Sequence, residues 1–96
     1  MRPSLILDAN RSAVRAIALS HRVRDIRVFG SVLHGDDIEG SDIDLLVEPT
    51  SDTTLMDIAA IQVELERLLG VGVDVLTPNG LPDKFRNRVL SEALPV

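Results

Sequence analysis

The chain has 96 residues, of which 45% are hydrophobic and 26% are charged. This size and composition predict a single small domain over residues 1–96. The absence of cysteine excludes a disulfide framework and a thiolate metal site. The formal net charge is −5, and twelve acidic residues stand against one arginine between positions 30 and 83. This acidic segment and the presence of only two aromatic residues disfavour direct nucleic-acid binding. No apolar run reaches membrane-spanning length and no signal peptide is recognisable, so we expect a cytoplasmic protein without membrane contact.

The first third of the chain predicts a helix, a strand and a short helical turn. Apolar residues at helical spacing predict a helix from Asp8 to His21, with Asp8 as its N-cap. The β-branched and aromatic run Ile26–Phe29 predicts a strand that Gly30 ends. We interpret Ser31–His34 as the start of a helical turn, which leads into a tight return to the next strand.

The middle of the chain predicts a second strand and a long helix. Alternation over Ser41–Glu48 predicts a strand on which Asp42 and Asp44 share the face opposite the apolar side chains. Residues Thr54–Leu69 predict a helix that Thr53 caps and Gly70 ends. Its predicted inward stripe repeats every three or four residues and consists of Leu55, Ile58, Ile61, Leu65 and Leu68.

The last third predicts a third strand and a final helix. Alternation over Val71–Leu76 predicts the strand, with Asp74 on its polar face. Pro82 is placed to open the helix, and we expect its inner side to carry Phe85, Val89 and Ala93.

Connection lengths restrict how these strands pair. A whole helix joins the second and third strands, which favours a parallel pair with a right-handed crossover. Only about eleven residues join the first and second strands, which favours an antiparallel pair. We therefore expect an α/β (α+β) fold with a three-stranded mixed sheet of order 1-2-3 and helices packed on one face.

This topology brings polar residues from separate segments to one edge of the sheet. Gly30 and Ser31 end the first strand, Asp42 and Asp44 lie at the start of the second, and Asp74 lies at the start of the third. Carboxylate oxygens favour magnesium, which also binds substrate phosphates, and a third carboxylate can complete a second metal position or accept a proton. A glycine followed by a serine at the beginning of a helical turn suits a phosphate group.

The motif Gly30-Ser31, ten residues, then Asp42-Ile43-Asp44, with Asp74 one helix later, resembles the minimal nucleotidyltransferases of the DNA polymerase β-like superfamily. The resemblance extends from about residue 8 to the end of the chain. It implies a nucleotidyltransferase fold in which Gly30 and Ser31 bind the nucleotide phosphates. It also implies that Asp42 and Asp44 bind Mg²⁺, and that Asp74 assists the metal or activates the acceptor. Many members carry arginine where this chain has His34.

The resemblance further implies a partner and a reaction. Minimal nucleotidyltransferases are commonly the antitoxins of HEPN-domain toxins, and some transfer AMP from ATP to a toxin tyrosine. We therefore expect a Mg²⁺-dependent enzyme, with one or two metal ions and ATP as donor, that modifies a cognate HEPN toxin. The alternative is a non-catalytic module that neutralises its partner by forming a stoichiometric complex.

Overall fold

A computed structural model describes all residues, 1–96. It contains five α-helices, four strands and one 3-10 turn at Pro78–Gly80. The helices are α1 (Pro3–Ala9), α2 (Arg11–Leu19), α3 (Gly30–His34), α4 (Leu55–Leu69) and α5 (Asp83–Glu92). The strands are β1 (Val23–Phe29), β2 (Ile43–Pro49), β3 (Val73–Leu76) and β4 (Leu94–Pro95). No helix has both the length and the apolar composition that crossing a membrane requires.

The sheet is mixed, as the connection lengths predict, and its order is β3-β2-β1-β4. Strand β1 pairs antiparallel with β2, and β2 pairs parallel with β3. The prediction of three strands is wrong by one, because β4 pairs antiparallel with Arg27 and Val28 at the outer edge of β1. Strand β4 has two residues, which are too few to show an alternating pattern in the sequence. Its Pro95 is tolerated because the strand lies at the edge of the sheet.

The core lies between one face of the sheet and the helices α2 and α4. Side chains at alternate positions of β2 are fully buried against this layer, as are Ile61 and Leu65 of α4. The edge strand β3 is also closed by α4, since the Val73 and Val75 amides donate to the Glu66 and Gln62 side chains at 3.2 and 3.4 Å. The outer edge of β3 therefore offers fewer free backbone groups to another strand.

The predicted helix from Asp8 to His21 is two helices, and Asp8 is not an N-cap. Pro3 is the first residue of α1, a position where its missing N–H is not needed. The break falls at Asn10, whose backbone leaves the helical region at φ −129° and whose side-chain amide donates to the Ile6 carbonyl at 2.8 Å. Asparagine competes with helix hydrogen bonds in this way.

Helix α4 begins at Leu55, one residue later than predicted. Thr54, not Thr53, is the N-cap, and it forms a capping box in which its hydroxyl accepts from the Asp57 amide and the Asp57 carboxylate accepts from the Thr54 amide. Gly70 ends the helix at φ +71°, as predicted. The inward stripe is correct for Ile61 and Leu65, but wrong for the two ends of the predicted set, Leu55 and Leu68, which are 87% and 41% exposed.

The bounds of three strands and the inner face of one helix also differ from the predictions. Strand β1 starts at Val23 rather than Ile26, β2 runs over Ile43–Pro49 rather than 41–48, and β3 starts at Val73 rather than Val71. No residue of α5 is buried. The expectation that its apolar side chains face the core is therefore wrong, because the helix lies beside the functional site and not over the sheet's packed face.

Candidate active site

The turn that follows β1 forms one wall of the site. Gly30 adopts φ +74°, a left-handed conformation that glycine reaches without steric cost, and it begins α3. Ser31 follows in the first turn of this short helix and is partly exposed. The predicted helical turn at Ser31–His34 is therefore present, with Gly35 as its left-handed end at φ +74°.

The aspartates lie where β2 and β3 begin. Asp44 pairs in register with Phe29 of β1 on one side and with Asp74 of β3 on the other. Asp42 immediately precedes β2. The structure therefore brings all five predicted site residues to one end of the sheet, with Asp44 between the Gly30 turn and Asp74.

Two glycines allow the carboxylates to pack against the backbone. A Cβ atom placed on Gly30 would overlap Asp44 Oδ2 and lie 3.2 Å from Asp44 Cγ. A Cβ atom placed on Gly72 would overlap Asp42 Oδ1 and lie 3.0 Å from Asp42 Cγ. Gly72 was not singled out from the sequence, although a glycine inside a predicted strand is a known sign of close backbone approach.

Burial and two neighbouring carboxylates change the ionisation of Asp44. Burial is the main reason that the pKa of Asp44 is raised from 3.8 to about 6, and the charges of Asp74 and Asp42 and a hydrogen bond with Asp74 raise it further. Such coupling requires the groups to be near one another in a partly desolvated place. No set of three or more histidine, cysteine, aspartate or glutamate side chains is arranged so that it could hold a metal ion by itself.

A cavity of about 430 Å³ opens beside the Gly30 turn. Helix α3 forms one side and α5 the other, with Gly30 and Ser31 in its lining. The Glu92 carboxylate of α5 accepts from His34 at 3.0 Å, which links α5 to α3 at the rim, and it also accepts from Arg88 Nε of its own helix at 3.4 Å. None of these links was predicted from the sequence.

The loop between α3 and β2 is anchored by a buried carboxylate. Asp37 is 2% exposed and accepts from the Ser4 amide at 2.8 Å and from the Arg2 guanidinium at 3.0 Å. The Ser4 backbone hydrogen bond holds the pKa of Asp37 below its ordinary value. Helix α1 thereby fixes the segment that connects the Gly-Ser turn to the aspartates, a role for which the sequence gives no signal.

A mixed sheet that presents three aspartates beside a Gly-Ser turn is the arrangement expected of a nucleotidyltransferase. The profile of the nucleotidyltransferase domain family matches residues 11–96. The chain belongs to this family and is a transferase enzyme. A candidate protein adenylyltransferase of Methanocaldococcus jannaschii is 41% identical over 80 residues, covering 83% of this chain and 86% of that protein.

Solved structures show the same fold. One described as a candidate minimal nucleotidyltransferase is 43% identical with a TM-score of 0.86, and covers 97% of this chain and 95% of that chain. A toxin–antitoxin structure with AMP-PNP has a TM-score of 0.70 over 83% of this chain and 66% of that chain. Its identity is 18%, so this second likeness shows the fold alone.

Proposed function

We propose that residues 1–96 act as one minimal nucleotidyltransferase domain that transfers AMP from ATP to a protein hydroxyl. The contact that supports this most strongly is that of the Asp44 carboxylate with Gly30, since it joins the predicted metal-binding and phosphate-binding elements in one place. A phosphate held at Gly30 and Ser31 would lie next to the Asp44 carboxylate, whose pKa is raised by burial and by the neighbouring carboxylates.

The donor atoms suit magnesium. Mg²⁺ prefers oxygen ligands and is usually held by one or two carboxylates together with substrate phosphates and water, rather than by a complete protein cage. Asp42 and Asp44 would hold the ion in the presence of the nucleotide, and Asp74 would complete a second position. The bound ion would supply charge neutralisation for the phosphates and for the clustered carboxylates.

The residues of the chain have separate tasks in the proposed reaction. Gly30 and Ser31 bind and orient the phosphates, which places the α-phosphorus beside the aspartates. The acceptor hydroxyl oxygen attacks the α-phosphorus, a new oxygen–phosphorus bond forms, and the bond to the β-phosphate breaks so that pyrophosphate leaves. Where Asp74 does not hold a second ion, its carboxylate takes the proton of the acceptor hydroxyl.

The acceptor in this proposal is a tyrosine of a cognate HEPN toxin in the cytoplasm. The name of the Methanocaldococcus relative supports a protein acceptor. Residues 1–96 contain no tyrosine, so a tyrosine acceptor would lie outside them. The chain would thus act as the antitoxin by modifying its partner. In the non-catalytic alternative, a stoichiometric complex neutralises the toxin without modifying it.

The test is transfer of AMP to a candidate HEPN toxin from labelled ATP and Mg²⁺, followed by mass spectrometry of both chains. We expect a mass increase of one or more AMP groups on a toxin tyrosine, and loss of transfer in Asp44→Asn. Asp52→Asn is the matched control, because Asp52 is exposed and its side chain has no hydrogen-bond partner. Equal labelling by Asp44→Asn and the wild type would refute the assignment of the site. Neutralisation of the toxin without any transfer would favour the non-catalytic alternative.

A further inference from the structure

Helix α5 exposes an aromatic side chain that the fold does not use. None of its ten residues is buried, and Phe85 is 46% exposed. The Lys84 ammonium lies 5.7 Å from the ring centroid and covers one face of the ring. The ring also lines the cavity between α3 and α5. A half-exposed aromatic ring at a cavity wall is available to stack on a planar ligand.

The lining of the cavity has an apolar part and a polar part, and the polar part includes Gly30 and Ser31. Five apolar side chains line it: Phe29, Leu76, Leu81, Phe85 and Val89. The same cavity reaches Gly30 and Ser31, the proposed phosphate-binding pair. Its volume of about 430 Å³ is in the range of small-molecule sites. A ligand with a flat apolar group and an attached phosphate chain matches both parts.

Two groups of the proposed reaction could enter here, namely the base of the donor nucleotide and the acceptor side chain. None of the three aspartates lines the cavity, whereas both phosphate-binding residues do. An acceptor must reach Asp74, so it approaches from the carboxylate side. We therefore infer that the cavity receives the base of the donor nucleotide, stacked on Phe85. This inference rests on the proposed function.

The cavity walls are held in place before any ligand binds. The Arg86 guanidinium donates to the carbonyls of Pro78 at 2.9 Å and Leu81 at 2.8 Å, which fixes the loop that carries Leu81. The Glu92 carboxylate holds His34 of α3 and Arg88 of α5 at the opposite rim. A site that is already formed loses less entropy when its ligand binds.

The composition of the chain makes a direct spectroscopic test possible. The sequence has no tryptophan and no tyrosine, so Phe85→Trp introduces a single fluorophore at the cavity wall. With Mg²⁺ present, we expect ATP to change its fluorescence and inorganic tripolyphosphate, which has no base, to leave it nearly unchanged. Leu55→Trp is the control probe, because Leu55 is 87% exposed on α4 and does not line the cavity. It should respond to neither ligand.

Affinities measured by calorimetry complete the test. Base–aromatic stacking predicts that Phe85→Ala weakens ATP binding by about fivefold to a hundredfold and leaves tripolyphosphate binding unchanged. Leu55→Ala should bind both ligands like the wild type. Since Phe85 is not buried, its truncation should leave the unfolding transition close to that of the wild type.

The possible failures can be told apart. Equal ATP affinity in Phe85→Ala and the wild type would overturn the inference while leaving the proposed function intact. Equal losses for ATP and tripolyphosphate would also overturn it, because Phe85 would then act on the phosphate site and not on the base. A wild-type chain that binds no ATP in the presence of Mg²⁺ would overturn the proposed function and the inference together.

Discussion

The Asp44 carboxylate should lower the stability of the fold at neutral pH when no metal is bound. Its pKa is raised from 3.8 to about 6, so the folded chain holds this proton more tightly than the unfolded chain does. The free energy of unfolding therefore rises as the pH falls from about 7 to about 4. Below that range Asp44 is protonated in both the folded and the unfolded chain, and it contributes no further change. Asp44→Asn removes the charge and keeps the shape, so we expect it to be more stable than the wild type at pH 7.5.

The size of the effect follows from the pKa. At about 1.4 kcal/mol for each pKa unit, the full shift would correspond to about 3 kcal/mol. The carboxyl group is only half-buried, and solvent screening reduces the expected gain to roughly 1.5 kcal/mol.

Urea unfolding of both proteins in EDTA, at pH 7.5 and at pH 4, measures this difference. The gain of Asp44→Asn should be present at pH 7.5 and nearly absent at pH 4. Asp52→Asn, at an exposed position, should show little change at either pH. If Asp44→Asn is less stable than the wild type at pH 7.5, the carboxylate is not disfavoured by its surroundings and the reasoning about the cluster is wrong.

Three further substitutions test how the fold supports the site. Gly72→Ala should reduce AMP transfer strongly while costing under about 1 kcal/mol of stability, because the new methyl displaces the Asp42 carboxylate, the movable end of a side chain. Arg2→Ala should lower stability at pH 7. The loss should shrink as the pH falls below 3.8, because the folded state favours the ionised form of Asp37, and this contribution is lost when the carboxylate is protonated. Leu65→Ala should cost about 2–5 kcal/mol, since its side chain is fully buried.

Each of these substitutions has a control and a refuting outcome. Gly80→Ala is the control for Gly72→Ala, because a Cβ atom on Gly80 would approach the Thr77 hydroxyl no closer than 3.4 Å. Unchanged AMP transfer by Gly72→Ala would contradict the packing of Asp42 against Gly72. Arg11→Ala removes an exposed pair worth at most about 1 kcal/mol, so an equal loss in Arg2→Ala would contradict the anchoring role of Asp37. Leu55→Ala should be nearly neutral, and a similar cost for Leu65→Ala would place Leu65 outside the core.

The sequence predicts the sheet around the site because its signals are local and strongly periodic. Alternation in β2 is enough to place Asp44 on the face opposite the core, and the length of the following helix is enough to make β3 parallel. The observed register of the parallel pair β2–β3 then places Asp44 beside Asp74. The Gly30 turn follows from a strand ending in glycine.

The features that the sequence does not reveal depend on contacts between distant segments. The break at Asn10 depends on one side-chain hydrogen bond, and β4 consists of two residues held by the edge of β1. The burial of Asp37 depends on Arg2, thirty-five positions earlier, and nothing distinguishes this aspartate from the exposed acids around it. Leu55 is exposed at the first position of α4, and the helical period of the sequence does not show how far the packed part of the helix extends.

The location of the nucleotide is the decisive observation for the proposed site. A crystal structure of the full chain with Mg²⁺ and a non-hydrolysable ATP analogue should show the phosphates against Gly30 and Ser31, with the cation between them and Asp42 and Asp44. A nucleotide bound elsewhere, for example in the cavity that contains Arg15 and Arg24, with the three aspartates free of metal, would contradict it.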